Sequence, residues 1–193
     1  MNVVLIILVV LAGLAFVAFA LKDRIRGRQV PDGLSPGRTL PRFEAVDENG
    51  ERRSSRELEG APAVLLFVRG TWCPFCSRQV ENLTKHYKDI TDTGARLVLI
   101  TTQPLDTTRR VADMFGVDFE FWLDEGFDVV KELGLFLEGG IPTKHREEFG
   151  EDTIWPASLV TDASLTIRFS EVSRFIADRP DPQKLLGVVR QLT

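Results

Sequence analysis

Polar positions are nearly absent from the start of the chain. Residues 3–21 form 19 consecutive uncharged positions, mostly Val, Leu, Ile, Ala and Phe. As a helix rising about 1.5 Å per residue, the run spans about 28 Å, close to the hydrocarbon thickness of a bilayer. It predicts one N-terminal transmembrane helix. A cleaved signal peptide wants a basic start and a shorter apolar core. Only Met1 and Asn2 precede this run, although Ala18-Phe19-Ala20 has the form of a cleavage site. A cleaved signal and a buried soluble helix stand as the alternatives.

Behind the run the pattern turns polar. Lys22, Arg24, Arg26 and Arg28 face a single Asp23, and residues 27–41 hold Pro31, Pro36 and Pro41 without an apolar period. The expected organisation is an anchor with its basic flank over 1–26, a linker over 27–41 and one domain over 42–193. The cations lean that domain toward the cytoplasm. One short span with almost no N-terminal tail leaves the membrane side open, and the same cations also suit lipid headgroups.

From residue 42 onward two periods alternate. Residues 63–68 and 96–100 are continuous apolar runs, the signature of strands buried on both faces. Between them, Val80, Leu83, Tyr87 and Ile90 lie on one stripe of a helix expected over 74–90, ended by Gly94. Thr107 or Thr108 caps a further helix reaching Phe115, with Gly116 beyond it. A short strand is expected at 119–122 and a short helix at 126–133. Residues 157–161 and 165–169 flank Asp162-Ala163-Ser164 as a hairpin. Residues 182–192 form a last helix capped by Asp181, and 139–155 read as an irregular loop. This order implies an α/β three-layer domain with a mixed central sheet.

Composition narrows the function. The chain is 44% hydrophobic and 27% charged, which excludes a disordered or collagen-like polymer. A net charge of −4 offers no basic excess for a phosphate backbone, so no nucleic-acid partner is expected. Residues 106–152 carry thirteen acidic and five basic side chains, a solvated face or, alternatively, a dock for a basic partner.

The chemistry concentrates in Thr71-Trp72-Cys73-Pro74-Phe75-Cys76, where the first buried strand gives way to a helix. Thiols three apart on a first helical turn share one side and are able to bridge. Such a small ring staples little of the fold and suits switching. Free N–H groups and the helix dipole favour an anion at Cys73. Lowering a thiol from about 8.5 to about 7 takes it from about 3% to half thiolate at pH 7. Pro74 at the first helical position gives up no needed hydrogen bond. The competing readings are half a zinc site and two inert cysteines. His86 and His145 stand far apart as further ligands, so no metal and no cofactor is expected. Both histidines read as surface residues, with a substrate-facing role the alternative for His145. Trp72 reads as a wall of the site, with plain core the alternative. Arg69 and Arg78 flank the thiols and read as solvated, with stabilisation of a thiolate the alternative for either. Trp155-Pro156 precedes the hairpin strand, where a proline is tolerated.

These residues resemble the thioredoxin fold, and the wider spacing resembles its peroxiredoxin-like branch, the alkyl hydroperoxide reductase/thiol-specific antioxidant family. The resemblance covers residues 37–192. Its most specific part is the string from Phe67 to Cys76, and Pro156 with the hairpin is its second anchor. It implies an antioxidant redoxin enzyme: Cys73 attacks, Cys76 resolves, and a Cys73–Cys76 disulfide forms. It also implies a cis Pro156 packed beside that disulfide, with Thr71, Trp72, Pro74, Phe75 and Trp155 shaping the site. Cys73 occupies the place of the peroxiredoxin Thr and Pro156 that of their Arg, leaving the peroxide-polarising set incomplete. Phe67 replaces the buried Asp of thioredoxins. The expected function is a membrane-tethered thiol–disulfide oxidoreductase acting on a protein thiol or disulfide. A hydroperoxide-reducing peroxidase is the alternative, and a redox-inert docking scaffold the second alternative.

Overall fold

The computed structural model describes residues 11–13, 28–104, 119–175 and 177–193. Its strands are β1 (Glu44–Asp47), β2 (Arg52–Ser54), β3 (Ala63–Val68), β4 (Arg96–Thr101), β5 (Glu120–Leu123), β6 (Phe136–Leu137), β7 (Thr153–Ile154), β8 (Ala157–Thr161) and β9 (Ile167–Val172). Its α-helices are α1 (Pro74–Thr84), α2 (Tyr87–Thr91), α3 (Asp128–Glu132), α4 (Arg146–Phe149) and α5 (Pro182–Val189). Of the expected anchor only residues 11–13 are described, and they are helical. The helix expected between Thr107 and Phe115 lies outside the described residues. Among the described residues no helix is long and apolar enough to cross a membrane.

The layering follows from β3. Every residue of this strand is buried, and alternate side chains serve opposite faces. Val64, Leu66 and Val68 pack with α1, α2 and α5, through Val80, Leu83, Ile90, Leu185 and Val189. Leu65 and Phe67 pack with Val98, Ile100, Trp122 and Val130 on the other side. A strand with two apolar faces must be covered twice, which gives three layers. The main sheet runs β2-β1-β5-β4-β3-β8-β9, with β3, β4 and β5 parallel and the outer strands antiparallel. It is the mixed α/β sheet expected. β6 and β7 make a separate two-stranded ribbon.

Two expectations change. The single helix over 74–90 is two, α1 and α2. The Thr84 hydroxyl bonds back to the Val80 carbonyl at 2.9 Å and His86 leaves helical geometry at φ −113°, ψ 4°, so the axis breaks there. The described part of the 27–41 stretch is no free tether either. Leu34 and Leu40 are buried in the core. The N–H groups of Gly37 and Leu40 each donate at 2.8 Å, to the carbonyls of Ile167 and Leu165. Extended, proline-punctuated chain pairs along an edge as readily as it spans solvent, and two leucines decide the matter.

Candidate active site

β3 ends at Val68, and the chain turns through Arg69-Gly70-Thr71-Trp72 into α1. Gly70 makes the turn at φ 123°, and a Cβ there would stand 2.5 Å from Cγ of buried Gln103. Cys73 is the N-cap of α1, and Pro74 follows at the first helical position. The Cys73 carbonyl accepts the N–H groups of Cys76 at 3.0 Å and Ser77 at 3.1 Å. Both cysteines are free thiols, 1% and 2% exposed, on the same face of the helix.

Their electrostatics are asymmetric. Cys73 falls from an ordinary 9.0 to about 6, chiefly through the hydrogen bond it receives from the Cys76 thiol. The Cys76 N–H and the charges of Arg179 and Arg69 add to this, against a burial penalty. Cys76 is pushed well up because its proton holds that bond, and burial adds to the rise. The pair therefore carries one negative charge near neutral pH, on Cys73, with the remaining proton on Cys76.

Two guanidinium groups hold this charge. Nη2 of Arg179 stands 3.0 Å from Cys76 Sγ and 3.9 Å from Cys73 Sγ. Nη1 of Arg179 donates to Ser173 Oγ at 3.2 Å. Arg69 is buried, with its guanidinium 4.4 Å over the Trp72 ring and Nη2 donating to the Gly140 carbonyl. Burial lowers its pKa, while the two cysteines oppose that fall. Its backbone N–H also points at Cys76 Sγ, at 3.4 Å. The Trp72 ring faces His145 at 6.0 Å between centroids.

Several expectations are thereby corrected. Arg69 is not solvated: cation–π contact, the Gly140 carbonyl and the sulfurs replace its water. His145 is not free in solvent but lies against Trp72. The stretch 139–155, expected as an irregular loop, contains α4 and β7 and folds over the motif, with Gly140 wedged so tightly that a Cβ would meet Leu137 Cγ at 2.6 Å. Trp72 does wall the thiols, joining their apolar cluster. Thr71 and Pro74 are exposed, and Phe75 points outward. Arg78 is exposed, and His86 sits 3.5 Å from Asp89, apart from the thiols.

Pro156 is not cis, since every described peptide bond is trans. The fold consumes the backbone that a cis bond would present. The Trp155 N–H donates to Leu135 O at 2.6 Å, the Pro156 carbonyl accepts from Ser173 N at 2.9 Å, and Ala157 then pairs directly with Phe67. Trp155 packs with the core cluster on the sheet face opposite the thiols. The sequence reading missed Arg179 altogether. It lies 103 residues from Cys76, and no local pattern marks it. Among the described residues no three His, Cys, Asp or Glu side chains gather as metal ligands.

A thiol pair at a strand-to-helix corner of a mixed, helix-covered sheet defines a thioredoxin-like α/β protein. The family profile described as AhpC/TSA family matches residues 36–170, and the chain belongs to that family. It is 31% identical over 100 residues to the thiol-disulfide oxidoreductase ResA of Halalkalibacterium halodurans, a match covering 51% of this chain and 56% of that protein. It is 28% identical over 102 residues to the chloroplastic peroxiredoxin Q of Sedum lineare, covering 53% and 55%. The chain thus spans little more than half the length of these curated relatives. The peroxidoxin BcpB of Mycobacterium tuberculosis superposes with a TM-score of 0.68 at 21% identity, covering 83% of this chain and 99% of that one. A peroxiredoxin-like protein from Aquifex aeolicus gives 0.71 at 12% identity, covering 86% and 92%. At these identities the structural likeness speaks to the fold alone.

Proposed function

We propose that this chain is a membrane-tethered thiol–disulfide oxidoreductase, anchored through residues 3–21, in which Cys73 attacks and Cys76 resolves. The observation that carries the reading is geometric: two free, buried thiols on the first turn of α1, with the Arg179 guanidinium against both sulfurs. The lowered Cys73 and raised Cys76 agree with it. The Cys73 thiolate attacks one sulfur of a partner disulfide, forming a mixed disulfide and releasing the other sulfur as thiolate. Cys76 then loses its proton and attacks Cys73 Sγ. A Cys73–Cys76 disulfide forms and the partner leaves with both thiols reduced. Run backwards, the same steps oxidise a partner. Relatives named as thiol-disulfide oxidoreductases support the reading. Both sulfurs are buried, and the 139–149 stretch packs on Arg69 and Trp72 beside them, so a partner sulfur reaches Cys73 only when this packing shifts.

Reaction with a protein disulfide tests the proposal. C76S should accumulate a mixed disulfide, and C73S should not. The opposite pattern would reverse the roles. The second reading is a peroxidase, favoured by Arg179 at 3.0 Å from Cys76, a guanidinium the sequence reading did not supply. A thiolate would take one peroxide oxygen and become sulfenic acid, the alcohol would leave with a proton, and the other thiol would condense with loss of water. Stopped-flow oxidation by hydroperoxide should be no faster than that of a free thiol; a much faster second-order rate would favour the peroxidase. The basic residues behind the anchor favour a cytoplasmic domain, which a topology reporter after Thr193 tests.

A further inference from the structure

Among the described residues, the folded domain exposes three large apolar side chains: Val46, Phe75 and Phe175, at 39%, 38% and 50%. Phe75 stands between the two cysteines. Phe175 stands on the turn after β9, four residues before the arginine that touches both sulfurs. Two bonds tie Phe175 to Asp178: Phe175 N donates to Asp178 Oδ2 at 3.1 Å, and Asp178 N donates to the Phe175 carbonyl at 3.0 Å. The backbone that displays the exposed phenylalanine is thus held by hydrogen bonds to Asp178.

The chain arriving from the N-terminus is strapped to the same turn. Arg28 donates its backbone N–H to the Arg174 carbonyl at 3.3 Å and its Nη2 to the Gly134 carbonyl at 2.6 Å. Its guanidinium lies 5.2 Å from the centre of the Trp155 ring, and Trp155 Nε1 in turn donates to the Ser173 carbonyl. Arg28 is thus fixed one residue away from Phe175 and a few from Arg179. From Leu21, the last apolar residue of the run, to Arg28 is seven residue steps, at most about 25 Å of extended chain. Lys22, Arg24 and Arg26 lie within that stretch.

We propose that the headgroup surface of the bilayer is what Phe175 and exposed Arg174 face, with the mouth of the thiol site held toward the membrane. The inference rests on the anchor reading above. A domain on a long slack tether samples all orientations, whereas one strapped at Arg28 presents one side. The side presented carries an exposed aromatic ring, a residue type that settles at headgroup level, and the sequence leading to Arg28 holds Lys22, Arg24 and Arg26, residue types that pair with anionic lipid. The substrates that reach Cys73 are then disulfides carried close to the bilayer, on membrane-bound partners, rather than on freely diffusing ones.

Tryptophan quenching by bromine-labelled phosphatidylcholine tests this, with the full-length chain in vesicles containing phosphatidylglycerol. F175W replaces one exposed aromatic by another. V46W places the same probe, at similar exposure, on β1 near the opposite edge of the sheet. Each is read against the wild-type chain, whose own tryptophans set the baseline. The expected result is additional quenching in F175W about twofold or more above that in V46W. Adding Arg28→Gly to F175W should reduce its quenching toward the V46W level. Equal quenching of F175W and V46W, or none in either while the chain floats with vesicles, overturns the orientation and leaves the anchor standing. Quenching of F175W that survives R28G shows that the strap does not set the orientation and overturns the argument. A chain that fails to float with vesicles removes the anchor and this inference together, without touching the thiol chemistry.

Discussion

Arg179→Gln should raise the pKa of Cys73 by about one unit. A unit charge 3.9 Å from the sulfur gives about 4 kcal/mol at an effective dielectric of 20, which sets a ceiling. The actual share is smaller. The fall from 9.0 to about 6 is divided among the Cys76 thiol, the Cys76 N–H, Arg179 and Arg69, with Arg179 third in size and burial opposing all of them. An effect of about one unit, roughly 1.4 kcal/mol between the two protonation states, lies well under that ceiling. The thiolate fraction at pH 7 then drops from about 90% to about half. A reaction rate at one pH is a poor readout, because a more basic thiolate is also a stronger nucleophile and offsets the loss. Titration of the thiolate's ultraviolet absorbance in the reduced protein reads the ionisation directly. Arg179 also holds Ser173, so Arg179→Lys separates charge from scaffold: it should titrate between wild type and the glutamine variant. A folded R179Q protein whose Cys73 titrates within a few tenths of a unit of wild type would refute the electrostatic account.

Other consequences are testable with single variants. Gly140→Ala drives a Cβ to 2.6 Å from Leu137 and 2.7 Å from Thr153, so the 139–149 stretch must shift and iodoacetamide should alkylate Cys73 severalfold faster; an unchanged rate at equal thiolate fraction would show that this stretch does not limit access. Leu66→Ala empties a fully buried site in β3 and should lower stability by about 3 kcal/mol in chemical denaturation, against under 1 kcal/mol if the core closes over the gap. Burial alone would raise the Asp162 carboxyl, but the Ser164 hydroxyl, Arg168 and the N–H groups of Thr166 and Ser164 outweigh it and hold it at about 2. A depressed carboxyl stabilises the fold above its unfolded pKa near 4, and that contribution disappears as pH falls through about 2. Asp162→Ala should therefore lower stability by about 1 kcal/mol at pH 7 and by progressively less toward pH 2, and a pH-independent difference would contradict the assignment.

The parts of the fold legible in the sequence are those where one strong physical signal acts alone. β3 and β4 are continuous apolar runs because both faces are buried, and the thiol spacing needs only the start of α1. β1 and β2 escaped notice because they are short and polar. Asp47 is buried there through bonds from Arg53 and from the N–H groups of Asn49 and Glu51, which no hydrophobic period announces. β6 and β7 contribute two residues each and pair Phe136 with Ile154 and Leu137 with Thr153, too short a run for any period to mark. Leu34 and Leu40 were hidden among prolines and glycines that read as tether. At the site, the sulfurs and Trp72 were legible from local order. Arg179, the burial of Arg69 and the stacking of His145 are tertiary facts, set by which loops the topology brings to the C-terminal end of β3. Pro156 holds the place where the resemblance puts an arginine, and the guanidinium arrives instead from Arg179, beyond β9.

Reversible joining of Cys73 and Cys76 underlies the proposed chemistry. Intact-mass measurement of the full-length chain, equilibrated in glutathione buffers of graded potential and quenched by alkylation, reads it out. The expected result is a reversible loss of two hydrogen atoms, with the crosslink mapped to the peptide holding both cysteines. Thiols that stay reduced across the series, or that only collect glutathione, would contradict it.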